Sequence, residues 1–258
     1  MLKVISINLN GIRSAERKGV FDWLLKQQAD VICVQELKAQ ATDLQMDLHS
    51  LPDYHAHFHY AEKKGYSGVG IYSRHPLDEV ITGLGWDVAD QEGRYVAVRL
   101  GRLWVASLYM PSGTSGDERQ MVKFDFLAKY ETCLDRIRQR GDEYIICGDF
   151  NIAHKKIDLK NWRGNQKHSG FLPEERAWLD KIFDEYGFVD AFRVVNQEPD
   201  QYTWWSHRGK AWDKNVGWRI DYQVVTQNLK NSIKSAQIYK DQRFSDHAPL
   251  ILEYDIIL

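Results

Sequence analysis

Short apolar runs recur along the chain, and several of them end on carboxylate or amide side chains. In the clearest example, the apolar residues 144–147 lead directly into Gly148, Asp149, Phe150 and Asn151. An apolar, partly β-branched run of this length predicts one buried strand. Because the sheet uses the backbone of such a strand, the polar side chains at its end are free to form a site. Gly, Asp and Asn are also common turn residues, so this stretch alone fits an ordinary turn as well.

Apolar runs of strand length predict further strands at residues 3–8, 31–35, 69–72, 220–225, 232–239 and 250–254. Residues 95–100 and 103–109 flank Gly101 and Arg102, which predicts a hairpin of antiparallel strands. Apolar residues at helical spacing predict helices over residues 19–28, 118–140 and 173–186. The β-α-β order at the start implies a right-handed crossover and a layered domain. We therefore predict an α/β fold, with two sheets packed face to face and helices outside, in one domain over residues 1–258.

The composition allows a substantial core, because 43% of the 258 residues are hydrophobic and nine of them are Trp. No apolar run is long enough to cross a bilayer, and the N-terminal run is too short for a signal peptide. The three cysteines, at positions 33, 133 and 147, lack a metal-binding spacing and fit reduced core residues. We therefore expect a cytoplasmic protein without a membrane segment, and we expect it to be a monomer.

The net charge of −2 means that any binding of nucleic acid requires a local basic patch. One candidate is residues 154–168, which carry Lys155, Lys156, Lys160, Arg163 and Lys167 against one acid, Asp158. A second run contains His207, Arg208, Lys210 and Lys214. Either run also fits a solvated surface loop, which is the usual explanation of a charge run. Their position beside the candidate catalytic residues favours contact with phosphates.

The polar residues at predicted strand ends form one specific set: Asn8, Glu36, Tyr109, Asp149, Asn151, Asp221, Asp246 and His247. Carboxylate and amide oxygens suit Mg²⁺ or Mn²⁺, whereas zinc prefers Cys and His. An Asp that orients a His is a recurring device for activating or protonating a reacting oxygen. A single Asp-His pair, taken alone, is more often a surface loop or a structural His.

Seven short segments, in this order, resemble the exonuclease III family of abasic-site endonucleases. They are SINLNGIR at 6–13, VQELK at 34–38, GYSGV at 65–69, YMPSG at 109–113, GDFN at 148–151, VGWRIDY at 216–222 and SDHAP at 245–249. The family lies within the endonuclease/exonuclease/phosphatase superfamily, which also contains DNase I. The segments span almost the whole chain, and their order makes the set specific although each one is modest.

The resemblance implies a four-layer α/β sandwich of two packed mixed sheets flanked by helices. It also implies a metal-dependent DNA repair nuclease that hydrolyses the phosphodiester 5′ to abasic sites in double-stranded DNA. Accompanying 3′–5′ exodeoxyribonuclease and 3′-end cleaning activities are expected. The residues implied at or near the metal are Asn8, Glu36, Asp149, Asn151, Asp246 and His247, with Glu36 as the main carboxylate ligand.

The same resemblance implies catalytic roles. Asp149 would orient or deprotonate the attacking water, and Asn151 would hold Asp149 or the phosphate. Tyr109 would contact the scissile phosphate. His247, oriented by Asp221, would bind a non-bridging oxygen and stabilise its charge in the transition state.

Substrate choice is assigned to other residues. An apolar pocket of Trp204, Trp218 and Ile220 would accept the flipped-out abasic sugar, although the same residues fit an ordinary aromatic core. The residues implied to bind DNA are Lys155, Lys156, Lys160, Lys167, His168 and Arg208. The lysines would hold phosphates without reading sequence, and Arg208 would reach into the duplex.

Two positions depart from the family pattern. Asn10 stands where some relatives have Asp, which removes one possible metal carboxylate. His168 stands where many relatives have Asn, and an imidazole is bulkier and can gain a proton. We therefore expect His168 to change the balance between endonuclease and exonuclease activity.

Two other functions compete with this interpretation. A non-catalytic regulator of the same fold would lack some of the residues Glu36, Asp149, Asn151, Asp221 and His247, and all five are present. A superfamily phosphatase for lipid or inositol substrates would share Glu36, Asp149 and His247, but the pocket residues and the compact length favour DNA.

Overall fold

Two six-stranded sheets form the centre of the computed structural model, which describes residues 1–43 and 51–258. In chain order the strands are β1 (Leu2–Asn8), β2 (Val31–Gln35), β3 (His55–His59), β4 (Val69–Ser73), β5 (Glu79–Thr82), β6 (Tyr95–Leu100), β7 (Leu103–Tyr109), β8 (Glu143–Asp149), β9 (Val189–Asp190), β10 (Asp221–Val225), β11 (Ile233–Ile238) and β12 (Leu250–Tyr254). The first sheet has the order β11-β12-β1-β2-β4-β3. The second has the order β5-β6-β7-β8-β10-β9.

The helices in the described residues are α1 (Ile12–Arg17), α2 (Val20–Gln27), α3 (Asp87–Gln91), α4 (Asp117–Arg140), α5 (Trp162–Asn165), α6 (Pro173–Asp180) and α7 (Ala191–Val195). A π-helical turn, Lys181–Glu185, continues α6. Three 3₁₀ turns cover Ala41–Asp43, Lys156–Asp158 and Gln227–Ser232.

Three apolar clusters define the layers. The first fills the space between the sheets with side chains such as Val31 and Val105. The second packs Phe126 of α4 and Trp178 of α6 on the outer face of the second sheet. The third packs Leu24 of α2 on the outer face of the first sheet. Each sheet is therefore buried on both faces, which confirms the predicted four-layer α/β sandwich.

Strand pairing places the polar strand ends together. Strands β1 and β2 run parallel with Asn8 opposite Gln35, so Glu36 follows at the same sheet edge. Strands β7 and β8 are also parallel, with Tyr109 opposite Asp149. The antiparallel strand β10 begins at this edge, because Asp221 lies opposite Asp149.

The apolar pattern located the central strands and the hairpin, and it missed three strands. These are β3, β5 and β9, and all three lie at sheet edges. They are short, partly exposed or both, so they lack the apolar run that marks a buried strand. The helix predicted over residues 173–186 is α-helical only to Asp180, where the π turn takes over.

The three cysteines are free, with Cys33 and Cys147 buried in the core, as expected of reduced core residues. None of the helices in residues 1–43 and 51–258 combines the length and apolar character needed to cross a membrane. The division into a single domain and the monomeric state stay predictions.

Candidate active site

A cleft of about 400 Å³ lies where the two sheets present their polar strand ends. Its walls contain nine residues predicted from the sequence: Glu36, Tyr109, Asp149, Asn151, Trp204, Trp218, Ile220, Asp246 and His247. Asn10, named above as a departure, lines it too, together with Lys38, Ser112, Thr114, Ser169 and Gly170, for which no role was predicted. Asn8 and Asp221 lie behind the wall and bond to residues that form it.

Asp149 lies at the bottom of the cleft and is almost fully buried. Its Oδ2 accepts a hydrogen bond from Asn8 Nδ2 at 3.0 Å, and its Oδ1 accepts one from the Asn151 backbone N–H at 2.8 Å. The residue before it must be Gly148, because a Cβ there would lie 1.9 Å from the Leu108 carbonyl oxygen. Burial raises the pKa of Asp149 to about 7, and the negative charge of Asp221 adds to the effect of burial while His247 opposes it.

Asp221 and His247 form a buried pair beside Asp149. His247 Nδ1 lies 2.8 Å from Asp221 Oδ2, and His247 Nε2 lies 3.7 Å from Asp149 Oδ2. Burial disfavours the imidazolium, but the two carboxylates outweigh burial and raise the pKa of His247 to about 10. His247 is therefore a cation at neutral pH, and its Nε2 lies on the side of Asp149.

Tyr109 forms the wall on the β7 side. The guanidinium of the buried Arg94 lies 4.8 Å from the centre of the Tyr109 ring, and Arg94 Nη1 donates to the Tyr109 carbonyl oxygen at 2.8 Å. Burial, with the negative charge of Glu36, raises the pKa of Tyr109 well above its usual range. The phenol therefore stays protonated and can donate a hydrogen bond.

The backbone turns sharply where the polar side chains enter the cleft. Asn10, Glu36, Lys38 and Asn151 all have positive φ, between 44° and 56°. This region is sparsely populated for residues other than Gly, and such conformations cluster at functional sites. Asn151 is held in place by its Nδ2, which donates to the Met110 carbonyl oxygen at 2.9 Å.

Lys38 is a cleft residue that the sequence analysis missed. Its Nζ lies 2.9 Å from Glu36 Oε1 and also bonds Asn10 Oδ1. Asn10 Nδ2 in turn donates to Asp246 Oδ1 at 2.9 Å. Lys38 could have been found from the sequence, because it follows Glu36 by two residues directly after a strand that ends at the cleft. These contacts join the carboxylates of Glu36 and Asp246 through two side chains.

The chemistry of the cleft fits a divalent cation. Candidate ligand atoms of Asp149, Asp221 and His247 lie within 4.8 Å of one another, but His247 as an imidazolium has no lone pair to offer, so the carboxylates are the available ligands. Asp221 Oδ1 is buried without a hydrogen-bond partner among the described residues. Four carboxylates, including those of Glu36 and Asp246, face two cationic side chains, so hard oxygen donors are in excess. Asn8 uses its Nδ2 on Asp149 and its Oδ1 on the Asn10 backbone N–H at 2.9 Å, which favours a positioning role.

The three predicted pocket residues together form one aromatic wall of the cleft. The rings of Trp204 and Trp218 pack edge to face, with centroids 6.4 Å apart, and Ile220 is buried beside them. Gly170 closes this wall with φ 94°, and a Cβ there would lie 3.2 Å from the Trp218 ring. The polar cluster and the aromatic wall therefore share one continuous cavity.

The six residues predicted to bind DNA are all exposed, and none lines the cleft. Two of the lysines are already paired, Lys155 with Asp180 and Lys160 with Asp200 at 2.8 Å. Lys156 Nζ lies 4.3 Å from the centre of the Trp162 ring. The charge run did not predict these pairs, because Asp180 and Asp200 lie 25 and 40 residues away along the chain.

A buried ion pair under the cleft was also missed. Lys123 and Glu175 are both fully buried, with Lys123 Nζ 2.5 Å from Glu175 Oε1. Lys123 also donates to the Asn151 carbonyl oxygen at 2.7 Å, and Glu175 Oε2 accepts from the Gly170 backbone N–H at 2.7 Å. Lys123 lies three residues before Phe126 on the inward face of α4. A lysine among the apolar residues of that face could have predicted a buried ion pair.

Comparison with known proteins identifies the chain's relatives. The model of the endonuclease/exonuclease/phosphatase family matches residues 5–247. The chain belongs to this family. It is 42% identical to an exodeoxyribonuclease of Bacillus subtilis over 260 residues, covering 99% of this chain and 100% of that protein. It is 36% identical to the DNA repair nuclease APEX1 of Danio rerio, covering 97% of this chain and 81% of that protein.

Structural comparison agrees with this assignment. The fold of this chain superposes on an AP endonuclease of Archaeoglobus fulgidus with a TM-score of 0.90. The two sequences are 27% identical, and the match covers 99% of this chain and 100% of that one. The predicted exonuclease III resemblance, the fold and the assignment as a nuclease are confirmed.

Proposed function

We propose that this nuclease hydrolyses the phosphodiester 5′ to abasic sites in double-stranded DNA, and that the same centre removes nucleotides and blocking groups from 3′ ends. The observation that carries the proposal is the shared cavity, whose lining contains both the polar cluster with Asp149 and His247 and the aromatic wall of Trp204 and Trp218. Such a cavity can hold a phosphate against the polar cluster while an extruded sugar lies against the aromatic wall. The names of the relatives, an exodeoxyribonuclease and an AP endonuclease, support both activities.

Asp149 acts on the attacking water. With a pKa of about 7, its carboxylate can accept a proton from water near neutral pH, whereas an ordinary carboxylate would be a weaker base. Asn8 and the Asn151 backbone hold both carboxylate oxygens, so the group is oriented before substrate binds. The water oxygen attaches to phosphorus, and the bond from phosphorus to the 3′ oxygen of the preceding nucleotide breaks.

Charge that develops on the phosphate is met by fixed donors. His247 is an imidazolium, and Asp221 fixes its orientation, so its Nε2–H donates to a non-bridging oxygen. The protonated phenol of Tyr109 donates to a second phosphate oxygen. The side-chain oxygen of Asn151 is available to the cleft because its Nδ2 is used on Met110.

Glu36, Asp246 and the Asn151 side-chain oxygen would hold a divalent metal ion, Mg²⁺ or Mn²⁺, with Asp149 and His247 adjacent. The bound ion would supply neutralisation of the negative charge on the phosphate and on the departing 3′ oxygen. Lys38 offsets part of the Glu36 charge and keeps that carboxylate oriented.

The aromatic wall selects the substrate. Extrusion of a nucleotide costs a few kcal/mol and costs least where no base is paired, so an abasic sugar enters most readily. Trp204, Trp218 and Ile220 present an apolar surface to that sugar. Lys156, Lys167, His168 and Arg208 are exposed and lie outside the cleft, where they can contact the DNA backbone.

The test is incision of a duplex that carries one abasic site, with Mg²⁺ or Mn²⁺ and with EDTA. We expect incision only with metal, and Asp149→Asn should lower turnover far more than DNA affinity because it removes the base and spares attraction to phosphate. Asp255→Asn makes the same chemical change at an exposed position directly after β12 and should behave as wild type. Full activity in EDTA, or equal loss of turnover and affinity in Asp149→Asn, would contradict the proposal.

The same assay separates the two competing functions. A non-catalytic regulator would bind the duplex without incising it under any metal condition. A phosphatase for lipid or inositol substrates would leave the duplex intact and release phosphate from those substrates. The close approach of Asp149, Asp221 and His247 supports a catalytic protein.

A further inference from the structure

Trp204 takes part in two features of the cleft, and the pocket assignment covers only the first. Its ring forms the aromatic wall of the cleft with Trp218, and its indole Nε1–H donates to Asp246 Oδ2 at 3.1 Å. The backbone of Trp204 is fixed on both sides, because it forms isolated β-bridges with Trp218 and His247. The indole therefore spans from the pocket wall to the carboxylate cluster as one rigid group.

Asp246 is held entirely by neighbouring side chains. Its Oδ2 accepts from Trp204, while its Oδ1 accepts from Asn10 Nδ2 at 2.9 Å and from Ser245 Oγ at 3.1 Å. Its side chain is only 12% exposed, so these donors replace most of its water. Burial alone would raise the pKa of Asp246, but the charge of His247 and the three donors outweigh burial and lower it.

We infer that Trp204 is a positioning residue for the metal centre, in addition to forming the pocket wall: its indole N–H orients the Asp246 carboxylate toward the bound cation. The inference rests on the proposed function, because it takes the carboxylate cluster as the metal centre. A ligand that contacts the Trp204 ring in the pocket would also touch the group that holds Asp246. By thermodynamic reciprocity, a pocket ligand that strengthens metal binding is itself bound more tightly when metal is present.

Trp204→Phe tests the inference, because it keeps an aromatic wall and removes the N–H. Trp218→Phe is the matched control, since its ring forms the facing wall and its indole nitrogen has no hydrogen-bond partner in the part of the chain that the structure describes. Calorimetric titration of Mn²⁺ and Mg²⁺ into DNA-free protein measures the effect without turnover. Loss of a partner that orients a metal ligand weakens metal binding about 10–100-fold, so we expect that loss in Trp204→Phe and less than about twofold in Trp218→Phe.

The second measurement needs no variant. The assigned indole N–H resonance of Trp204 in the wild-type protein should shift when Mg²⁺ is added, while that of Trp218 should stay in place.

Asp246→Asn should weaken metal binding at least as much as Trp204→Phe.

Wild-type metal affinity in Trp204→Phe, an unshifted Trp204 resonance, or no metal binding by the wild-type protein would each overturn the inference. If metal binding follows the expectation but the abasic duplex is not incised, the proposed substrate is wrong and the role of Trp204 stands.

Discussion

Lys123→Met removes the cation from the buried ion pair beneath the cleft. Met keeps most of the length and volume of the lysine stem, so the change leaves little cavity. It leaves the Glu175 carboxylate buried without its ammonium partner, and it takes a donor from the Asn151 carbonyl oxygen. Burial lowers the pKa of Lys123, and the negative charge of Glu175 opposes that shift.

Removing one partner of a buried ion pair costs about 3–5 kcal/mol. Glu175 retains the Gly170 and Leu172 backbone donors at 2.7 and 3.0 Å, and Gln120 Nε2 at 3.2 Å. These bonds compensate part of the stranded charge, which places the expected cost near the lower limit, at about 3 kcal/mol. For a chain of this size a change of about 3 kcal/mol corresponds to a fall in Tm of roughly 6–12 °C.

Urea unfolding, followed by far-UV circular dichroism, measures the cost. Lys129→Met is the control, because Lys129 pairs with Asp125 at 2.8 Å on the same helix, with both side chains about half exposed. That change should cost about 0–1 kcal/mol. In the double variant Lys123→Met/Glu175→Gln, the neutral amide oxygen still accepts from the loop, so it should be more stable than Lys123→Met. If Lys123→Met is no more destabilising than Lys129→Met, or the double variant is the least stable, the reasoning is wrong.

Three further predictions concern the charges around the cleft. Arg219 and Arg193 outweigh the burial of Asp158 and lower its pKa to about 2, so its stabilisation is present above about pH 4 and is lost as pH falls toward 2. Asp158→Asn should therefore cost about 2 kcal/mol at pH 7 and nothing below pH 2, as measured by urea unfolding across pH; a pH-independent cost would contradict this. Replacing Lys156, Lys160 and Lys167 with Ala should reduce the log-log salt slope of DNA affinity by about one per lost phosphate contact, and an unchanged slope would make the segment only a solvated loop. His168→Asn should change the ratio of 3′-exonuclease to abasic incision across pH 6 to 8 while metal-dependent cleavage remains, and loss of all cleavage would place His168 in the catalytic set.

Local patterns predicted most of the architecture. The buried strands are apolar runs, the hairpin has a two-residue turn, and the helix ending at Arg140 has Gly141 directly after it. These signals depend on neighbours within a few residues, so the sequence displays them directly. The edge strands β3, β5 and β9 were missed because tertiary pairing, more than their own composition, makes them strands.

Nine of the cleft residues were also predictable, because the segments that contain them are distinctive and their strand ends meet at one edge. Glu36, Asp149 and His247 are far apart in the chain and still line one cavity. The pKa values of these residues in the cleft were not predictable. The pKa of Asp149 depends on burial and on Asp221 and His247, which come from other elements.

The sequence by itself determined the fold class, the family and nine of the residues that line the cleft, because these follow from local patterns and ordered segments. Only the tertiary structure decided how those residues are held and charged. Lys123 meets Glu175 across 52 residues, Trp204 meets Asp246 across 42, and Lys160 meets Asp200 across 40. The physical reason is that hydrogen bonds and ion pairs act over a few ångströms in space, and the folded chain alone sets which distant groups come within that range.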